Sequence, residues 1–177
     1  MTLLPGGVQC AGRGRLAATL ENTALGTLVR ESLYGFQIVV GIHILGLVFS
    51  VGTFLWFDLR LLGWTLGSEA VSRVYRQVIP WATCGFLVMF LSGAMLFTGF
   101  ATRAYGSPYF SVKMAAILLA GTNAAFYHLV TERGQSEWDT SGRPPASARA
   151  AGMISILLWA TVIVCGRLMA YTMYGAS

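Results

Sequence analysis

Residues 33–57 read LYGFQIVVGIHILGLVFSVGTFLWF, an apolar run without a charged side chain. Crossing the roughly 30 Å hydrocarbon core of a bilayer takes about 20 predominantly apolar residues in a helix. This run is long enough, and three others match it, at 78–97, 111–131 and 148–173. In lipid each backbone N–H and C=O must pair within its own segment, so each run is expected to be helical. The short connections between runs then dictate an all-α, up-down, four-helix membrane bundle. Composition agrees: 55% of residues are hydrophobic and 11% are charged, against about 25% charged in soluble domains. The mean hydropathy is +0.64.

Outside the spans, the chain divides into a tail with an interfacial helix, 1–32, and a four-span domain, 33–177. The start, MTLLPGGVQCAGRGRLAATL, lacks the long apolar core of a secretory signal. Segment 20–31 carries Leu20, Leu25 and Leu28 with Glu21, Arg30 and Glu31 elsewhere, and is expected to be a short interfacial helix. Segment 64–77 has the same character, with Trp64 and Tyr75 suited to the interface, and 132–145 reads as a polar loop closed by Pro144 and Pro145. Arg60, Arg73, Arg76, Arg133, Arg143 and Arg149 fall in the first and third loops. Arg13, Arg15, Arg30 and Arg103 fall in the tail and second loop. The positive-inside rule then places both termini outside an inner (plasma) membrane. The net charge of +5 suits anionic lipid as partner and calls for no nucleic acid. Three cysteines, Cys10, Cys84 and Cys165, form no CxxC spacing and suggest neither a disulfide framework nor a zinc site.

The chain holds two histidines, His43 and His128, and both lie in apolar runs. A titratable ring in hydrocarbon is costly and is expected to have a polar partner, a metal or a cofactor. Val39, His43, Gly46 and Ser50 form one helical stripe, and Ala116, Ala120, Ala124 and His128 form another. Small residues mark helix contacts in membranes, so both histidines are expected to face the bundle interior. With about 1.5 Å rise per residue, His43 sits roughly 15 Å along its span and His128 roughly 25 Å along its own. Lys113 lies within about 3 Å of the outer start of the third span, and Arg167 about 28 Å along the fourth, again near the outer face. Asp58 and Arg60, in FDLRLLG, read as an interfacial charge cluster that stops the first helix.

The motifs GIHILGLVFSVG, FDLRLLG, IPWATCGF, LSGAMLF and SPYFSVKMAAILLAGTNAAFYH give the chain a resemblance to a group of small bacterial membrane proteins. That group includes the copper-resistance protein D domain. More distantly, the chain is similar to the HemJ-type protoporphyrinogen oxidases, four-helix haem-b proteins. The resemblance spans about residues 31–171 and implies a b-type haem or copper, with His43, Lys113 and His128 at the matching positions. Each polar residue also has a plainer reading. His43 and His128 can bond to neighbouring hydroxyls or carbonyls instead of ligating haem or metal. Lys113 and Arg167 either snorkel to headgroups or meet anionic groups such as haem propionates. One haem held by both histidines conflicts with their difference in depth, which favours His43 as the ligand. With no nucleophile, carboxylate pair or phosphate loop, hydrolase and transferase chemistry is not expected. What remains is a haem protein in electron transfer, a copper-handling component, or a structural membrane partner without cofactor. A homo-oligomer or a redox or periplasmic partner protein would complete any of these.

Overall fold

The computed structural model describes residues 15–32, 34–65, 70–131, 139 and 144–174. The beginning of the tail with Cys10, and most of the third loop with Glu132, lie outside the described residues. A helical segment at 15–21 (α1) leads to α2 (Ala24–Glu31), then α3 (Gly35–Leu61) and α4 (Val71–Gly99). A short α5 (Ala101–Gly106) precedes α6 (Pro108–Phe126), which runs into a π-helical turn, Tyr127–Thr131. α7 (Ala146–Tyr174) closes the fold. Four segments are long and apolar enough to cross a membrane: Gly35–Leu61, Val71–Gly99, Pro108–Leu129 and Ala146–Thr172. No strand occurs among the described residues. The protein is a multi-pass membrane helical bundle.

Its outer surface is what lipid requires. Leu45, Leu91, Leu118 and Leu157, one on each spanning helix, are all more than 60% exposed. Lipid tails are as apolar as leucine, so such side chains give no reason for helices to associate; close backbone approach does. The tightest approach joins α3 and α4. A Cβ on Gly46 would stand 2.7 Å from the Met89 amide nitrogen, and one on Gly85 would stand 2.7 Å from that of Ser50. Ser50 between them is fully buried. Gly152 brings α7 against α3, where a Cβ would lie 3.1 Å from the Asp58 carbonyl. α6 packs along α7, while α4 and α6 scarcely meet. The bundle is therefore two helical hairpins joined through α3 and α7, with an open seam between α4 and α6.

The helix ends follow local chemistry. Thr23 caps α2 by accepting from the Gly26 amide at 3.2 Å, and Pro108 occupies the first turn of α6, where its missing N–H costs nothing. α3 ends on Gly63 at φ 77°. The Gly63 amide donates to Arg60 O and the Trp64 amide to Leu59 O, each at 3.0 Å, which is a Schellman closure. Asp139, from the third loop, accepts from the Ser72 amide at 3.0 Å and from the Ser72 hydroxyl. It thus satisfies the first turn of α4 from outside that helix. α2 docks on the other end of α4: Val29 is fully buried, and a Cβ on Gly99 would touch it at 3.0 Å. Leu25 and Leu28 remain exposed on the opposite face of α2, as expected for a helix lying in an interface.

The structure revises four readings. The segment 64–77 is not a separate interfacial helix, because from Val71 onward it forms the first turns of α4. Tyr75 accordingly faces Phe57 and Tyr127 inside the bundle. Asp58 and Arg60, in the last turns of α3, are 5% and 1% exposed, so the charge cluster there is packed within the protein rather than solvated. His128 does not share the inward stripe of Ala116 and Ala120. A four-residue step drifts about 40° per repeat from the 3.6-residue helical period, so Ala124 is already exposed within the regular helix, and the π-turn then buries Tyr127 and leaves His128 exposed.

Two outcomes test this packing. Gly46→Val should destabilise the protein by about 1–3 kcal/mol, the usual cost of overpacking, seen as a lower thermal midpoint in detergent. Gly41→Val, where a Cβ meets nothing within 4 Å, should leave the midpoint nearly unchanged. Asp139→Ala should cost about 1 kcal/mol through the lost cap. Burial pushes the Asp139 carboxyl upward, but the bonds from Ser72 and Val71 and the Arg60 charge outweigh it and hold it below its ordinary 3.8. Its stabilising effect is thus complete above that value and lost as pH falls through the lower folded value. The midpoints of wild type and Asp139→Ala should converge only in that acid range.

Candidate functional site

The α4–α6 seam opens into a groove of two chambers, and Phe86 and Ile117 line both. The first chamber, about 290 Å³, lies toward the α2 end of the bundle and is lined by His43, Lys113 and apolar side chains including Met89, Phe90, Phe97 and Met114. The second, about 230 Å³, lies toward the Asp139 end. Its polar members are Asp58, Asn123, Ser155, Tyr75, Tyr127 and His128.

α3 holds His43 half-buried against α4. Nδ1 lies 2.9 Å from the Met89 carbonyl and 3.1 Å from the Ser92 hydroxyl. A carbonyl only accepts, so in the neutral ring Nδ1 carries the proton and Nε2 carries the lone pair. Nε2 has no hydrogen-bond partner among the described residues. A backbone carbonyl on one ring nitrogen is the usual way to orient a histidine whose other nitrogen binds a ligand. Gly93 leaves room for the ring, since a Cβ there would stand 3.0 Å from His43 Cε1.

Lys113 shares this chamber, close enough for its charge to act on the imidazole. Its ammonium reaches toward α7, 3.8 Å from where a Cβ on Gly166 would stand. It has no ion-pair or hydrogen-bond partner among the described residues. The expected separation in depth between Lys113 and His43 does not hold, because α6 begins at Pro108 rather than at 111. Lys113 is five residues into α6, about 8 Å, and His43 eight residues into α3, about 12 Å. The two groups are therefore nearly level.

The other two expected residues lie elsewhere. His128 sits at the rim of the second chamber, hydrogen-bonded to the Tyr75 hydroxyl and 5.3 Å from its ring. Arg167 lines neither chamber. It is exposed, donates to the Tyr171 hydroxyl at 3.1 Å and stacks 4.7 Å over that ring. The sequence reading missed Asn123 and Ser155. Asn123 donates to the Ala151 carbonyl at 2.9 Å, and Ser155 bonds to Asp58. An amide and a hydroxyl inside apolar runs are themselves a signal of an inward polar site. Among the described residues, no group of three or more His, Cys, Asp or Glu converges to hold a metal ion.

An unpaired ammonium in a span is costly until something anionic meets it. Lys113→Met should therefore raise the thermal midpoint of ligand-free protein, by about 1–2 kcal/mol given its position near a helix end. An unchanged midpoint would show that the ammonium is already satisfied.

Fold and groove together define a small multi-pass membrane protein with a largely apolar, two-chambered groove that carries a few polar side chains. Over residues 22–172 the chain matches the family of unknown function DUF6644, and it belongs to that family. The match names neither the copper-resistance protein D domain nor the HemJ-type oxidases. No curated protein and no solved structure matches the chain.

Proposed function

We propose that this protein binds one b-type haem in the His43–Lys113 chamber and serves in electron transfer within the bacterial inner membrane, with both termini outside. The observation that carries this reading is the pairing, in one apolar chamber, of an imidazole Nε2 and an ammonium that both lack a partner among the described residues. A haem has both complementary features: a metal that takes neutral imidazole, and propionates that take cations.

The residues present fit the group in donor set and in depth. His43 would supply the axial nitrogen, with Met89 O holding its tautomer, and Lys113, nearer the helix ends, would meet a propionate. The macrocycle exceeds the 290 Å³ chamber, and Phe97 and Phe110 stack on each other across α4 and α6 at 5.2 Å, so a bound haem would have to part these two rings to extend along the seam. When bound, the haem supplies one-electron chemistry. The chain's own contribution is orientation of the imidazole, charge balance at Lys113 and exclusion of water by the aromatic walls. A copper site would have to draw on His43 and the Met89 and Met114 thioethers that line the same chamber, and this reading leaves the Lys113 ammonium without a role.

Protein purified from haem-sufficient cells should show a Soret band that shifts on dithionite reduction. His43→Ala should lose the band, and Lys113→Met should retain less haem. A colourless wild-type protein, or a band unchanged in His43→Ala, contradicts the proposal.

A further inference from the structure

A third cleft, of about 350 Å³, lies outside the groove at the α2 end of the bundle. Glu21 and Arg30 line it from the α1–α2 region, and Gly99, Phe100, Thr102 and Arg103 line it where α4 passes into α5. α3 begins at Gly35, α4 ends at Gly99 and α6 begins at Pro108, so the cleft sits where spans enter and leave the bilayer. On α2, Leu25 and Leu28 are 54% and 57% exposed, which turns an apolar face of that helix to lipid. The cleft therefore lies at the level of the headgroups.

Its charges suit a ligand that carries both signs. Glu21 Oε1 accepts from the Thr102 amide at 2.7 Å, which fixes the carboxylate at the cleft. Oε2 has no hydrogen-bond partner among the described residues and is not buried. Arg103 has no ion-pair or hydrogen-bond partner among the described residues. Arg30 makes one contact, from Nη2 to Glu31 Oε1 at 3.3 Å, and a guanidinium has five N–H donors. Arginine forks recognise phosphate oxygens. The carboxylate beside them disfavours a purely anionic ligand and takes an ammonium instead.

We propose that this cleft binds the headgroup of phosphatidylethanolamine, with the phosphate between Arg30 and Arg103 and the primary ammonium donating to Glu21 Oε2. Phosphatidylglycerol offers the phosphate but no cation for Glu21. Phosphatidylcholine offers a cation that has no N–H to donate. The bound lipid joins α2 to α5 across the cleft, and the site is independent of both chambers and of any haem.

The test is native mass spectrometry of the full-length protein in detergent, titrated in turn with the ethanolamine, choline and glycerol lipids carrying the same acyl chains. Wild type should bind the first ethanolamine lipid about fivefold more tightly than either of the others, the upper range for an exposed ion pair. Glu21→Gln can keep the Thr102 bond through its amide oxygen and should abolish that preference. Arg103→Gln should weaken binding of all three lipids. Arg167→Gln, which lies outside the cleft, should bind as wild type does. Free O-phosphoethanolamine at equal concentration should not displace the lipid. Equal or tighter binding of the choline or glycerol lipid to wild type, a preference retained in Glu21→Gln, unchanged affinity in Arg103→Gln, weakened binding in Arg167→Gln, or displacement by O-phosphoethanolamine would each overturn the proposal. The lipid comparison uses wild-type protein, so the test survives an unfolded variant.

Discussion

The α3–α4 glycine clasp is the contact on which the rest of the bundle depends. Lipid gives apolar helices no reason to associate, so close backbone approach has to do so. Gly46 under Met89 and Gly85 under Ser50 let the two backbones come within a distance that no Cβ would permit. That contact fixes the rotation of α3, and with it the direction of Val39, His43, Gly46 and Ser50. His43 then falls against the Met89 carbonyl and Ser92. A different crossing of α3 and α4 would send the imidazole into lipid.

Tight packing on one side leaves slack on another. α4 is held by α3, and α6 by α7, while α4 and α6 scarcely touch. His43, Lys113, Asp58, Asn123 and Ser155 line the resulting groove. Phe86 and Ile117 divide it, so two chemically distinct chambers share one opening to lipid. One is cationic, with imidazole and ammonium; the other has a buried carboxyl. At the Asp139 end, the carboxylate on α4's first turn ties the third loop to the helix that forms the groove's wall.

Much of this architecture is legible in the amino-acid sequence, because lipid imposes length and composition directly. Four apolar runs predict four helices, and the stripe through His43 predicts its inward face. The sequence is less informative where local periodicity breaks. The four-residue stripe through Ala116 and Ala120 drifts off the interior face and leaves Ala124 exposed, before the π-turn from Tyr127 changes the register further. Hydropathy also hides helix ends. The first turns of α4 contain Arg73, Arg76 and Gln77, which read as loop, although Val71 and Val74 are buried. Lys113 was placed too close to the membrane surface for the same reason. Asp58 and Arg60 mark the end of the first span in the sequence, while the closure of α3 itself is made at Gly63. The Asn123–Ala151 and Asp58–Ser155 links are tertiary and leave no trace in spacing.

The two histidines line different chambers, so a haem bound as proposed would take its imidazole from His43 alone. Electron paramagnetic resonance of the ferric protein tests it most directly, comparing wild type with His128→Ala. The account predicts a haem signal that is the same in both. A bis-imidazole low-spin signal that disappears in His128→Ala would contradict it.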